Sequence, residues 1–182
     1  MSGDTLSPET HRQLLEHARA TIAHAVGAGP KPTETVPEGA AEHRGCFVTL
    51  HTESGDLRGC IGTFTSERSL WDTVRDMAIA SATRDPRFQP VAAEELDGCV
   101  LEISALTAKT PAKPEEVEVG RHGVCVARGA HRGVLLPQVA TDHGWNRETF
   151  LDHTCLKAGL PADAWRDGSV TIEVFSAEVF SE

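Results

Sequence analysis

With 182 residues, 40% of them hydrophobic, the chain is long enough to bury a core and fits one domain with room for two lobes. Its formal net charge of -10, from 17 Lys and Arg against 27 Asp and Glu, repels nucleic acid and anionic membrane surfaces and sets both aside as partners. No apolar run approaches the roughly 20 residues of a membrane span, and the polar stretch Met1–Thr10 lacks a secretory leader pattern, so a cytoplasmic location is expected.

Ser7-Pro8 opens a first helix, Ser as N-cap and Pro at the first helical position. Leu14, Leu15, Ala18, Ile22 and Val26 then recur at helical spacing until Gly27. The stretch 28–42, with Pro30, Pro32 and Pro37, reads as a loop. The first few residues and Gly27–Gly39 are expected to be the least ordered parts.

Cys46–His51 reads as a strand, Thr52–Asp56 as its turn, and Leu57–Thr63 as the return strand of a hairpin. Ser69, with Asp72 at the capping-box position, starts a second helix whose stripe is Leu70, Val74, Met77, Ala78 and Ser81. Asp85-Pro86 stops it, because a residue before proline avoids the helical region. Ala92–Leu96 suits one helical turn, Asp97-Gly98 a turn, and Cys99–Leu106 a third strand. Lys109–Pro114 reads as a loop and Val117–Val119 as a short edge strand. Gly123–Ala127 and Gly133–Leu136 make a hairpin around Gly129-Ala130. Asn146 caps a third helix with Phe150, Leu151, Cys155 and Ala158 inward, and Gly159 ends it. Val170, Ile172 and Val174 alternate in a last strand that runs on toward Phe180. Hairpins outnumber strand-helix-strand units, so the expected class is α+β, a mainly antiparallel sheet with packed helices.

Chemistry concentrates in Leu57-Arg58-Gly59-Cys60-Ile61-Gly62. Alternation along a strand puts Arg58 and Cys60 on one face, where a guanidinium beside a thiol favours the reactive thiolate. Cys60 is therefore a candidate nucleophile or covalent acceptor, with Arg58 as its activator and His51, His143 or Asp85 as a base. The plainer reading, a small buried residue with Arg58 paired to a carboxylate such as Asp85, weighs more, because free cysteine is usually buried. Arg87, in Asp85-Pro86-Arg87-Phe88, could bind an anionic ligand; its alternative is a structural ion pair with Asp85. Gln138, after the strand ending at Leu136, could orient a ligand amide or satisfy loop backbone. Arg121–Arg132 holds five basic or His residues and no acid, which suits a small anion but equally a solvated hairpin.

The five cysteines, Cys46, Cys60, Cys99, Cys125 and Cys155, are odd in number and contain no C-x-x-C, which argues against disulfides, zinc ribbons and iron-sulfur clusters. The His residues show no metal-binding spacing, so no metal and no cofactor are expected.

Several ordered blocks resemble one family. They include Phe47-Val48-Thr49-Leu50, Leu57–Gly62, Asp85-Pro86-Arg87-Phe88, Val119-Gly120-Arg121-His122-Gly123, Leu135-Leu136-Pro137-Gln138-Val139 and Cys155–Pro161. On these the chain is similar to AMMECR domain proteins from about Arg44 to Phe180, with 1–43 as an N-terminal helix and Pro/Gly-rich loop of a single domain, 1–182. Gln89 and Ala108 depart from the family pattern, where proline is frequent. The resemblance implies a two-lobed α+β fold of unequal lobes with a cleft between them, and Arg58/Cys60 as the hallmark segment. It also implies partnership with a Memo-like and a radical SAM protein, the AmmeMemoRadiSam grouping. The expected function is an accessory or binding component in that grouping, with a small anionic ligand as a further candidate partner. The alternative is a thiol-dependent enzyme using Cys60.

Overall fold

The computed structural model describes residues 5–182, so the first few residues lie outside the described part. The fold is α+β, with two four-stranded sheets and helices. The chain divides into two compact units, one of residues up to Leu106 with Glu178–Glu182, the other Thr107–Ala177.

In the first unit, α1 (Pro8–Ala25) begins where Ser7 accepts a hydrogen bond from the Thr10 amide. Its buried stripe is Leu14, Leu15, Ala18 and Ile22, as the spacing predicts, joined by Thr10, His17 and Thr21. The hairpin is β1 (Cys46–Thr52) and β2 (Leu57–Thr63), followed by α2 (Leu70–Thr83), capped by the Ser69 hydroxyl on the Asp72 amide. β3 (Cys99–Leu106) pairs antiparallel with β1, and the sheet order is β2-β1-β3-β8, where β8 is Ala177–Ser181. Val48, Leu50, Leu101 and Ile103 are fully buried in a core shared with Leu14, Ile22, Leu70 and Val74 from the two helices. Each such side chain contributes roughly 1.5–3 kcal/mol when taken out of water.

The second unit holds β4 (Thr110–Pro111), β5 (Gly123–Arg128), β6 (His131–Leu135), α3 (Pro137–Asp142), α4 (Arg147–Lys157) and β7 (Thr171–Phe175), with sheet order β4-β7-β5-β6. Its separate core contains Val124, Val126, Phe150, Leu151, Cys155 and Ile172. Asn146 caps α4 through the Thr149 amide, as expected from the sequence.

Three expectations change. Val117–Val119 forms no strand: Pro114–Glu116 makes a 3-10 turn, and the short edge strand is Thr110–Pro111 instead. A proline suits that place because an edge strand leaves one side of its backbone unpaired. Pro137–Asp142 is a short helix, Pro137 taking the first helical position where no amide is needed. The terminal strand is two strands, parted at Ser176, that enter different sheets.

Candidate functional site

Cys60 lies on β2, directly opposite Thr49 of β1, which in turn faces Glu102 of β3. Directly opposed residues on antiparallel strands point to the same face. The Thr49 hydroxyl donates to Cys60 Sγ at 3.3 Å. The neighbouring glycines hold this row in place. A methyl group at Gly59 would stand 2.3 Å from the Ser81 carbonyl oxygen, so β2 meets α2 through bare backbone on the opposite face. A methyl group at Gly62 would stand 2.2 Å from the Phe47 ring.

β2 is an edge strand, and edge strands leave backbone groups unpaired. At Cys60 the turn after α2 supplies the partners. The Cys60 amide donates to Asp85 Oδ2 at 2.9 Å, and Arg87 Nη2 donates to the Cys60 carbonyl at 3.2 Å. Asp85 and Arg87 are themselves joined by two further bonds, Nε to Oδ1 at 2.9 Å and Nη2 to Oδ2 at 2.7 Å, and the Arg87 amide also reaches Asp85 Oδ1. Asp85-Pro86-Arg87 thus acts as a surrogate strand for one residue of the edge. The Asp85 side chain is buried, whereas that of Arg87 is 53% exposed. The Arg87 guanidinium, with the Cys60 and Arg87 amides, holds the Asp85 carboxyl well below the usual carboxylate range, against the opposing effect of burial.

Arg58 is engaged elsewhere. Leu50 pairs with Gly59 and His51 with Leu57, which leaves Arg58 as the extra residue of a β-bulge. Its guanidinium makes a two-pronged bond to Glu95, Nε to Oε1 at 2.7 Å and Nη2 to Oε2 at 3.0 Å, and Glu95 also accepts from the Ala92 amide. Arg58 and Arg87 both stand over the Phe88 ring, at 5.9 and 5.5 Å from its centre. The structure therefore gathers Arg58, Cys60, Asp85 and Arg87 around one edge, with Arg87 rather than Arg58 bonded to Cys60. Both arginines form ion pairs, Arg87 with Asp85 and Arg58 with Glu95 rather than with Asp85.

Gln138 lies exposed on the first turn of α3, in the second unit, where its carbonyl accepts from the Thr141 hydroxyl. His51 sits on β1 between Leu57 and Val100, and His143 lies in the second unit with its ring tilted against Trp145. In the basic stretch Arg121 pairs with Glu118, and Arg128 donates to the Ser169 hydroxyl. Among the described residues no group of three or more His, Cys, Asp or Glu gathers as metal ligands would. Strand pairing sets Thr49 opposite Cys60, whereas no local pattern ties Glu95 to Arg58, 37 residues away.

Four of the five cysteines are buried, and burial pushes the thiols of Cys46, Cys99, Cys125 and Cys155 up. Cys60 alone among them is partly open to solvent.

The AMMECR1 family model matches residues 15–180 of the chain. The chain belongs to the AMMECR1 family. It is 49% identical over 182 residues to Protein Mbar_A1807 of Methanosarcina barkeri, covering 94% of this chain and 89% of that protein. It is 42% identical over 176 residues to Protein MJ0810 of Methanocaldococcus jannaschii, covering 92% and 88%. The crystal structure of the uncharacterized protein PH0010 from Pyrococcus horikoshii is similar with a TM-score of 0.77 and 39% identity, over 97% of this chain and 93% of that one. This AMMECR1-family chain thus shares its fold with the Pyrococcus protein and most of its length with all three relatives. Among its described residues no helix is long and apolar enough to cross a membrane.

Proposed function

We propose that this AMMECR1-family chain is a binding component that presents the Cys60 edge to a partner protein or to the small anionic ligand that partner handles. One observation carries the reading: the charged groups around Cys60 are already bound to one another and to the backbone. Asp85 holds the Cys60 amide and Arg87, and Arg58 holds Glu95. A thiol enzyme needs a base within hydrogen-bond reach of the nucleophile, and the contact made to Cys60 Sγ is from a threonine hydroxyl. Arg87 is 53% exposed, and its Nη1, which takes no part in the bonds to Asp85 and Cys60, offers the donor for an anion. Partnership with a Memo-like and a radical SAM protein rests on the family resemblance. The free thiols support a cytoplasmic setting, since oxidising compartments pair cysteines.

The test is binding of purified Memo-like and radical SAM proteins from the same genome to wild type and to Cys60→Ser. Retained affinity in the serine variant supports a binding role. The second reading, a thiol-dependent enzyme, is favoured by the open position of Cys60. It takes precedence if Cys60→Ser binds normally yet abolishes turnover in the assembled system while its melting temperature stays unchanged.

A further inference from the structure

A second place in the first unit is built for a ligand and lies on other elements. Between α1, the proline-rich loop and the start of α2 is a cavity of about 510 Å³, a size typical of small-molecule sites. Its walls include Arg12, Glu16 and His17 of α1, Pro32 and Pro37 of the loop, and Trp71 of α2.

Two features separate this cavity from an ordinary surface crevice. The first is an aromatic wall: the His17 imidazole stacks on the Trp71 indole at 3.7 Å with 14° between planes. The second is a concentration of unpartnered polarity. Trp71 Nε1 and Thr21 Oγ1 are buried without a hydrogen-bond partner, and the buried His17 ring has none of good geometry, the Trp71 backbone being the group that approaches it. His17 is only 4% exposed, and burial together with the Arg75 charge pushes its pKa down to about 4, so the ring is neutral, one nitrogen a donor and the other an acceptor. Native proteins rarely leave such groups unmatched. Here three side chains carry such atoms; two of them, His17 and Trp71, line the cavity with other atoms while their nitrogens lie covered beneath its wall.

The rim decides the charge of the occupant. Arg12 on the wall is bonded to both Glu9 and Glu16, and the neighbouring Lys31 to Glu34, so both cations are already taken. An anion would have to displace one of these pairs; a neutral ligand need not. We propose that this cavity binds a small, uncharged, planar nitrogen heterocycle, seated between Trp71 and the proline loop and hydrogen-bonded by His17. Binding requires the His17 ring to turn about its broad second torsion, which opens its stack on Trp71 and brings a covered ring nitrogen to the cavity. The prolines form the opposing apolar wall.

The test titrates the whole chain with nicotinamide and adenine as neutral heterocycles and with benzoate as a charged ring without a ring nitrogen. NMR follows the His17 ring and the Trp71 indole N–H. At least one heterocycle is expected to shift both signals saturably, at micromolar to millimolar concentration, and benzoate is not. His17→Phe keeps a flat ring on Trp71 but removes both nitrogens, and should weaken binding about tenfold or more, which corresponds to about 1.4 kcal/mol. His17→Leu serves as a second variant if the phenylalanine form does not fold. The proposal is overturned by the absence of a saturable shift with either heterocycle, by an equal response to benzoate, or by unchanged affinity in a folded His17 variant. A crystal grown with whichever heterocycle gives the shift, showing only ordered water against His17 and Trp71, also overturns it.

Discussion

Cys60 owes its setting to backbone as much as to side chains. Its amide and carbonyl, which an edge strand would leave to water, are taken by Asp85 and Arg87. Exposure alone then predicts an order of reactivity. Iodoacetamide at neutral pH should modify Cys60 before Cys46, Cys99, Cys125 and Cys155, which are no more than 5% exposed, and mass spectrometry of the folded protein reads the order. A buried cysteine labelled at the same rate as Cys60 would contradict this account. Asp85→Asn tests the clamp. The amide keeps the shape but gives up the charge and part of the accepting capacity toward two backbone amides and a guanidinium. A stability loss of about 1–3 kcal/mol is expected in urea unfolding, with faster labelling of Cys60 as the edge loosens. The sequence named Asp85, Arg87 and Cys60 as chemically interesting, yet it paired Arg58 with the thiol by simple alternation. The bulge at Arg58 breaks that alternation, and a bulge leaves no sign in a pattern of period two.

The elements were readable wherever a local rule governs them. Ser7, Ser69 and Asn146 each cap the helix their sequence context announces, and the turn at Thr52–Asp56 closes the expected hairpin. Removing one cap should cost about 1 kcal/mol: Ser69→Ala takes away the oxygen that receives the Asp72 amide, and a drop in melting temperature of several degrees checks it. Elements set by tertiary pairing were harder to read. β4 is two residues long and exists because Thr110 and Pro111 lie along β7. The split of the last strand likewise follows from its two halves joining different sheets. The contact between α2 and β2 depends on a missing side chain, so Gly59→Ala is the sharper test. Its methyl group, 2.3 Å from the Ser81 carbonyl oxygen, must push α2 away, and a loss of about 1–3 kcal/mol is expected. Serine or alanine at Gly55, where nothing lies within 4 Å but φ is +86°, should act through backbone strain instead and leave Cys60 labelling unchanged.

Over the whole molecule the composition indicated the fold class, because hairpin signals and short amphipathic helices add up to α+β irrespective of where each boundary falls. It could not show that the hydrophobic residues sort into two cores, since that division depends on which strands pair. The division matters for how the protein meets acid, because the perturbed groups are unevenly shared. His17 belongs to the first unit. Its folded-state pKa of about 4 lies below the roughly 6.5 of an unfolded histidine, so the unfolded chain takes up that proton first as pH falls. Its contribution is therefore whole above about pH 6.5 and drains away toward pH 4, by at most about 3 kcal/mol. Asp85, also in the first unit, has a lowered pKa; its contribution is present above the unfolded carboxyl value of about 3.9 and lost below it as the pH falls. In the second unit the lowered carboxyl is Asp167, at an exposed turn where solvent screens its bonds to Ser169. Lowering the pH from neutral to about 4.5 should thus weaken the first unit through His17 while Asp85 stays ionised. Hydrogen exchange, corrected for intrinsic rates, should show α1 and β1–β3 losing protection over this interval while β5–β7 keep theirs. In His17→Phe the loss should disappear, because no proton is taken up on opening; equal loss in both units, or an unchanged profile in the variant, would remove His17 as the origin of the acid sensitivity.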